Sequence, residues 1–388
     1  MKLANRVSGI SESVTLGITS KAKKMVKDGI DVVSFAAGEP DFDTPKHIKD
    51  AAIQAINNGF TKYTPSSGML ELREAISGKF KKDNSIDYAP SQIVVSGGAK
   101  HSLYNIFQAV CEKGDEVLIP DPYWLSYPAM VSLAEATPVI VNTRKENDFK
   151  VTEKELESKI TKNTKCFVLN SPSNPTGSVY SADELKVIAR LAVKHKFFVI
   201  SDEIYEKLIY GSAKHISIAS LNKDIYGLTI TVNGVSKSYS MTGWRIGYAA
   251  GPSEVMSAIA NLQSHANSNP TSISQHAALA AIMGPQKCVD EMRMEFAKRC
   301  DYMVSRVSSM KNMSCVKPGG AFYLFCDISR LKADSVKVAN RLLDEAKVAV
   351  IPGEPFGADS FIRLSFATGM DIIKKGLDRI EEWINNNG

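Results

Sequence analysis

Short runs of apolar residues alternate along most of the chain with longer stretches whose apolar positions recur every three or four residues. The short runs predict strands at residues 93–95, 116–119, 139–141, 166–169, 197–200, 228–232 and 246–250. The longer stretches predict amphipathic helices at 70–80, 101–110 and 182–195, and Ser181 begins the start signal of the last one. This alternation favours an α/β fold with a mainly parallel sheet wrapped by helices.

The pattern changes after about residue 285. A helix, a turn that leads into a strand, and two further helices are predicted at 292–310, 318–323, 335–346 and 372–384. We therefore expect a large domain at 46–285 and a smaller α+β domain at 286–388. The Pro-rich segment 38–45 is of the kind that crosses between domains, so residues 1–45 are predicted to pack with the small domain.

Composition excludes several classes of protein. The 388 residues are 44% hydrophobic and 23% charged, and the net charge of +5 is small and scattered, so we expect no nucleic-acid partner. The six cysteines form no Cys-x-x-Cys pair and have no histidine at metal spacing, which predicts reduced thiols and no metal site. The first eight residues have no long apolar core, and no run of eighteen apolar residues occurs, so no membrane association and a cytoplasmic location are expected.

A lysine and an arginine lie eight residues apart in the polar link between two predicted strands. Lys237 and Arg245 stand in segment 231–248, where a loop after a strand would carry chemistry. A lysine amine becomes a nucleophile toward an aldehyde when burial or a nearby cation lowers its pKa, and Arg245 can also hold a phosphate. A lysine in a solvated loop is the plainer alternative.

Other predicted strands also end in side chains that can bind a ligand, as expected at the carboxyl edge of an open α/β sheet. These residues are Gly98, Ala99 and Lys100 after 93–95, Trp124 after 116–119, Asn174 after 166–169, and Asp202 and Tyr205 after 197–200. Taken singly, Gly98 to Lys100 can be a plain strand-to-helix turn, Trp124 a core aromatic ring, and Asn174 part of a structural loop. Asp202 stands out because a buried carboxylate is costly unless it meets a positive charge.

One ligand accounts for all of these loops: a flat, phosphorylated aromatic aldehyde that condenses with a lysine, which is pyridoxal phosphate. Asp202 would keep its ring nitrogen protonated, so that the ring can act as an electron sink. Asn174 and Tyr205 would donate hydrogen bonds to the ring oxygen, and Trp124 would stack on the ring. The phosphate would lie against the helix start at Gly98, Ala99 and Lys100, with Arg245 as its bidentate partner.

At this point the chain resembles the aminotransferases of the aspartate aminotransferase family, the fold type I pyridoxal-phosphate enzymes, over essentially its whole length. The motifs that carry the resemblance are 171–177 (SPSNPTG), 201–205 (SDEIY), 236–237 (SK), 241–248 (MTGWRIGY) and 361–365 (FIRLS). The resemblance implies that Arg363 binds the substrate α-carboxylate, that Gly38 lines the amino-acid site, and that Lys237 carries the proton between the substrate and the cofactor. It also implies a homodimer with active sites at the subunit interface, in which Tyr63 reaches the phosphate of the other subunit.

Two departures from the family pattern bear on specificity. Many relatives have a serine three residues before the imine-forming lysine, where this chain has Gly234, so Ser236 becomes the candidate for that phosphate contact. The dicarboxylate-specific branch places an arginine after the lysine, whereas this chain has none between Arg245 and Arg293, and His265 is the nearest candidate. The chain thus resembles the branch without that arginine, whose substrate-site residues correspond here to Ser13, Thr15 and Lys100.

The expected reaction moves the amino group between an L-amino acid and a 2-oxo acid in a ping-pong cycle, with aspartate and 2-oxoglutarate as the expected pair. Some relatives that use prephenate have Lys-Pro before this serine, and Ser11-Glu12 stands here instead, so prephenate is not expected. The alternatives on the same fold are an aromatic or kynurenine-type aminotransferase and a Cys–S β-lyase. A non-catalytic sensor of pyridoxal phosphate or of an amino acid is the alternative from another class, and a nicotinamide dehydrogenase is disfavoured by the absent dinucleotide fingerprint.

Overall fold

The computed structural model describes residues 4–10 and 14–387, and the side chains of residues 4–10 and 17–387. The strands are β1 (Val33–Ser34), β2 (Ile93–Ser96), β3 (Glu116–Pro120), β4 (Thr137–Val141), β5 (Thr164–Asn170), β6 (Phe198–Asp202), β7 (Thr229–Gly234), β8 (Gly247–Ala250), β9 (Ser314–Cys315), β10 (Tyr323–Asp327), β11 (Val348–Ala349), β12 (Ile351–Pro352) and β13 (Phe361–Ser365). The helices are α1 (Asn5–Ser8), α2 (Val14–Lys27), α3 (Lys46–Asn57), α4 (Leu70–Lys79), α5 (Ala99–Val110), α6 (Ser126–Leu133), α7 (Glu153–Glu157), α8 (Ala182–His195), α9 (Lys223–Tyr226), α10 (Ser253–Ala266), α11 (Ser272–Met283), α12 (Lys287–Ser309), α13 (Ser335–Asp344) and α14 (Met370–Asn387).

A seven-stranded sheet forms the centre of the larger part, in the order β2-β8-β7-β6-β5-β3-β4. All neighbouring strands are parallel except β8, which runs antiparallel to both β2 and β7. The four residues of β2 and the six of β7 are all buried, which suits strands covered by helices on both faces of a parallel sheet. The predicted α/β fold with a mainly parallel sheet is therefore confirmed.

Local signals explain where two of the helices begin and end. The hydroxyl of Ser181 accepts from the backbone N–H of Glu184, whose carboxylate accepts from the N–H of Ser181, so α8 starts with a capping box. It ends at Lys196, which adopts a left-handed conformation with φ of 59°. The predicted helix at 70–80 ends one residue earlier, because the chain continues from Phe80 into a π-helical turn.

A second sheet of four antiparallel strands, in the order β12-β13-β10-β9, lies in the C-terminal part. Helices α12, α13 and α14 pack their apolar residues on it in one buried cluster. Strand β1 pairs in parallel with β11, so the N-terminal segment joins this cluster. The division of the chain into domains at 1–45, 46–285 and 286–388 stays a prediction.

Two expectations from composition concern membranes and thiols. Within residues 4–10 and 14–387, no helix is both long and apolar enough to cross a bilayer. All six cysteines lie in the described part of the chain and are free, and four of them are buried. Cys111 and Cys166 approach each other in the core with sulfur atoms 3.9 Å apart.

Candidate active site

A cavity of about 730 Å³ opens at the carboxyl ends of the central strands of the large sheet and is closed on its other side by residues of β13 and β10. Most of the site residues expected from the sequence line it: Gly38, Ala99, Lys100, Trp124, Asn174, Asp202, Tyr205, Ser236, Lys237, Arg245 and Arg363. They come from distant parts of the chain and meet because parallel strands deliver their following loops to the same edge of the sheet.

Lys237 follows β7 and lies half-buried in the cavity. Its Nζ donates to the carbonyl of Gly38 at 2.6 Å. Burial lowers the pKa of this amine to about 8, and the nearby charges of Arg363 and Arg245 act in the same direction while Glu39 opposes them. An amine with such a pKa is partly uncharged near neutral pH, which is the state that attacks an aldehyde.

Asp202 is the last residue of β6 and is 3% exposed. Its Oδ2 accepts from the hydroxyl of Tyr127 at 2.7 Å, and its Oδ1 accepts from the backbone N–H of Ile204 at 3.3 Å. Burial raises the pKa of this carboxyl to about 6, although these two hydrogen bonds and the charge of Lys237 favour the ionised form. A cationic ring nitrogen beside Asp202 would supply the positive charge that the buried carboxylate lacks.

The start of α5 and Arg245 together form a cradle for an anion. Gly98 caps the helix with φ of 95°, and a Cβ built on it would lie 2.5 Å from Nη2 of Arg245. The absence of a side chain thus lets the guanidinium lie directly on the helix N-terminus. Arg245 itself adopts φ of 57° and donates to the carbonyls of Thr242 and Gly97 at 2.9 and 3.3 Å. A phosphate fits this donor set of guanidinium and helix amides.

The structure also explains the glycine that replaces the usual phosphate-binding serine. A Cβ at Gly234 would lie 3.0 Å from Cα of Gly247 on the neighbouring strand, so a side chain there requires the strands to shift. Ser236 lines the cavity two residues later. It is therefore the serine near this loop that is placed to reach a ligand.

Arg363 on β13 is only 4% exposed and faces the opposite end of the cavity. Its Nη1 donates to Oδ1 of Asn174 at 3.0 Å and its Nη2 to the carbonyl of Ala36 at 3.3 Å, while Nε has no partner among the described residues. The ring of Tyr323 lies 4.3 Å from the guanidinium carbon. A buried guanidinium without a carboxylate partner is suited to hold the carboxylate of a ligand.

Lys100 and Trp124 line the third wall of the cavity. The Nζ of Lys100 lies 4.8 Å from the centre of the indole ring, and Trp124 packs edge-on against Tyr127. Burial lowers the pKa of Lys100, and the charge of Arg245 lowers it further. Lys100 thus places an amine at this wall of the cavity, where it can attract the distal carboxylate of a dicarboxylic substrate.

Sequence reasoning missed three residues of the site. Tyr127 contacts Asp202, Tyr323 contacts Tyr205 with their hydroxyl oxygens 2.9 Å apart, and Glu39 accepts from the hydroxyl of Thr242 at 2.7 Å. Tyr127 lies in the first turn of α6, three residues after Trp124, and this short spacing is the signal that could have placed both rings at the site. Nothing in the apolar run of β10 distinguishes Tyr323 from a core residue.

Tyr63 and His265 do not line the cavity of their own chain. Tyr63 is 88% exposed, and His265 is exposed near the end of α10. Ser13 and the side chain of Thr15 lie outside the described part of the structure. The roles expected for these residues stay predictions.

A group of metal-ligand type lies beside the site, in the turn after β6. Glu203, Glu206 and His215 place ligand atoms within 4.8 Å of one another. Lys79 forms an ion pair with Glu206, and the amide of Asn84 donates to both carboxylates at 3.3 and 2.7 Å. Although burial acts in the opposite direction, the charges of Lys79 and His215 lower the pKa of Glu206 to about 2. This group is a buried ion-pair network whose carboxylates already have partners.

The fold and this cavity define an enzyme that uses a lysine-bound phosphorylated aldehyde, and comparisons with known proteins specify its family. Residues 30–380 match the family described as aminotransferase class I and II. The chain is 49% identical to the aspartate aminotransferase of Geobacillus stearothermophilus, over 99% of both proteins. It is 49% identical to the probable aspartate/prephenate aminotransferase of Aquifex aeolicus, over 98% of both.

Among solved structures, the chain is similar to the Thermus thermophilus aspartate aminotransferase with maleate, with a TM-score of 0.95 and 41% identity over 98% of this chain and 99% of that one. The chain therefore belongs to the aminotransferase class I and II family, as its motifs predicted, and is a pyridoxal-phosphate-dependent enzyme.

Proposed function

We propose that the protein transfers the amino group of L-aspartate to 2-oxoglutarate, and the reverse. The observation that carries the proposal is that one cavity holds Lys237, Asp202 and Arg363 together with the amine of Lys100. The names of the similar proteins support aspartate as a substrate, since aspartate is named for both curated relatives, and the Thermus structure contains maleate, a dicarboxylate.

The residues of the cavity fit pyridoxal phosphate. Arg245 and the N-terminus of α5 would hold the phosphate, Asp202 the ring nitrogen, and Trp124 one face of the ring. Asn174 and Tyr205 would donate to the ring oxygen. When bound, the cofactor supplies an aldehyde that takes up the amino group and a ring that withdraws electrons from the substrate Cα.

Lys237 has two tasks in this proposal, and both depend on its lowered pKa. It would hold the cofactor in the resting enzyme, and once the substrate has displaced it, its Nζ would carry the proton between the substrate Cα and the cofactor. With a pKa of about 8, the amine accepts a proton at neutral pH and also releases it. The Gly38 carbonyl, at 2.6 Å, keeps the free amine inside the cavity.

Substrate orientation follows from the two cationic ends of the cavity. The planar fork of Arg363 binds the α-carboxylate in two hydrogen bonds, and its contact with Asn174 fixes the plane of the guanidinium. Lys100 attracts the distal carboxylate as a point charge. Lysine lacks the fork of arginine, so we expect looser discrimination against uncharged amino acids than a second arginine would give.

The test is the rate of the half-reaction with each amino acid, read from the absorption change of the bound cofactor. Aspartate and glutamate should react with a higher kcat/KM than alanine, phenylalanine or kynurenine. A preference for phenylalanine or kynurenine would favour the aromatic alternative, and release of ammonia and a thiol from cystathionine would favour the β-lyase. If the absorption of the cofactor changes with none of the amino acids, the proposal is overturned and the alternative of a non-catalytic sensor is favoured.

We further propose that the protein is a homodimer with active sites at the subunit interface. Tyr63 supports this proposal because it is 88% exposed in the single chain, as expected for a ring that is covered by a partner. Sedimentation velocity measures the assembly directly, and a monomer at micromolar concentration would contradict it. The cytoplasmic location stays a prediction from the sequence.

A further inference from the structure

We propose that Tyr323 is a positioning residue of this enzyme, whose hydroxyl donates to Tyr205 and thereby sets how strongly Tyr205 stabilises the ring oxygen of the cofactor. The inference rests on the proposed function, because it assigns a task within the same site. It concerns a residue that the sequence motifs did not single out.

The two tyrosines are held rigidly against each other. Tyr323 begins β10, is paired in register with Ser365 of β13, and is 1% exposed. Its hydroxyl oxygen lies 2.9 Å from that of Tyr205, and the two rings cross at 79° with centroids 5.9 Å apart. Arg363 covers the face of the Tyr323 ring at 4.3 Å. The strand and the guanidinium thus fix the position of the Tyr323 hydroxyl beside that of Tyr205.

The pair has one proton more than its mutual hydrogen bond uses. Each hydroxyl carries one donor proton and can accept from another donor, and neither has a further partner among the described residues. One of the two protons is therefore available to an acceptor in the cavity. If Tyr205 donates its proton to the ring oxygen, Tyr323 must donate to Tyr205, and such chains strengthen each member by polarisation.

Burial keeps both phenols of the pair protonated. Burial raises the pKa of Tyr205 well above its usual range, and burial also raises that of Tyr323, although the charge of Arg363 opposes this. The groups that face the pair are Arg363 from β13, Asp202 at the end of β6, and Lys237 from the loop after β7, whose Nζ lies 6.0 Å from the centre of the Tyr205 ring. A change in the titration of the bound cofactor upon Tyr323→Phe therefore reflects the lost donor.

The experiment is a pH titration of the visible absorption of the lysine-bound cofactor in the holoenzyme. Donors to the ring oxygen stabilise its anionic form and lower the midpoint of this titration. Tyr323→Phe keeps the ring and removes one donor, so the midpoint should rise by about half a pH unit to one unit. Tyr205→Phe should raise the midpoint further, and Tyr205→Phe/Tyr323→Phe should match Tyr205→Phe, because Tyr323 acts only through Tyr205.

Tyr210→Phe is the matched control. Tyr210 is also buried, but its hydroxyl donates to the carbonyl of Ala321 and it does not line the cavity, so its removal should leave the midpoint unchanged. The melting temperature of each cofactor-free variant reports whether the fold is retained. An unchanged midpoint in Tyr323→Phe, or additive shifts in the double variant, would overturn the inference. These results are distinct from a failure of the proposed function, in which the wild-type enzyme itself would not transaminate.

Discussion

The carboxylate of Asp202 should destabilise the cofactor-free protein, and Asp202→Asn should therefore stabilise it while impairing turnover. Burial raises the pKa of Asp202 from 3.8 to about 6, so the ionised form is disfavoured in the folded state. A shift of about two pKa units corresponds to about 3 kcal/mol at pH 7.5. An amide at this position carries no charge to bury, and its oxygen can still accept from Tyr127.

The sign of the pH dependence follows from proton binding. Between pH 3.8 and about 6 the folded protein binds more protons at Asp202 than the unfolded chain does, so its stability falls as the pH rises through this window. The Asp202→Asn variant has no carboxyl group at this position, so its stability does not fall for this reason as the pH rises. Its advantage should be about 3 kcal/mol at pH 7.5, about half of that at pH 5, and near zero at pH 3.5.

Urea unfolding of cofactor-free protein, followed by circular dichroism at one protein concentration, measures this difference directly. Asp28→Asn is the control, because it removes an exposed carboxylate and should change the free energy of unfolding by less than about 0.5 kcal/mol. An amide variant that is no more stable than the wild type at pH 7.5, or whose advantage is the same at pH 5 and pH 7.5, would refute the reasoning.

Three further substitutions test individual contacts. Lys237→Ala should abolish the absorption of the lysine-bound cofactor and slow the half-reaction at least about 100-fold, and an enzyme that retains both would contradict the role of this amine. Tyr127→Phe removes a hydrogen bond to the carboxylate of Asp202, so the pKa of Asp202, followed by carbon NMR in cofactor-free protein, should rise about one unit above its present value of about 6; no change would show that the contact is weak. Arg363→Lys keeps the charge but loses the fork, so KM for aspartate should rise at least about tenfold with the cofactor absorption unchanged, and an unaltered KM would place the α-carboxylate elsewhere.

The sequence was sufficient to predict the central sheet because each strand is a short apolar run bounded by polar loops. The predicted runs at 93–95 and 197–200 became β2 and β6 to within two residues. The same logic brought Asp202 and Lys237 together, since Asp202 ends β6, Lys237 lies in the loop after β7, and the two strands are parallel neighbours. Predictions of this kind depend only on local pattern and on the direction of the strands.

Other parts of the site depend on tertiary contacts that no local pattern encodes. Tyr323 stands in the all-buried strand β10, where an apolar run is equally compatible with a core ring and with a ring facing a cavity. Its role follows from the contact of its hydroxyl with that of Tyr205, which lies 118 residues away in the sequence. Glu39 is likewise adjacent to a predicted residue, Gly38, but its contact with Thr242 spans 203 residues.

Burial acts on the two central groups of the cavity in opposite directions, and this links cofactor binding to folding. It raises the pKa of Asp202 and lowers that of Lys237, so in the cofactor-free protein each group is held in an environment that disfavours its charged form. Their mutual attraction does not remove either penalty, since both pKa values remain shifted. A ligand with a cationic ring nitrogen at one end and an aldehyde at the other removes both penalties. The ring nitrogen pairs with the carboxylate of Asp202, and the aldehyde forms a covalent bond with the amine of Lys237. The free energy released at these two residues should therefore appear as cofactor affinity, and a cavity made more stable by substitution at Asp202 should bind the cofactor more weakly.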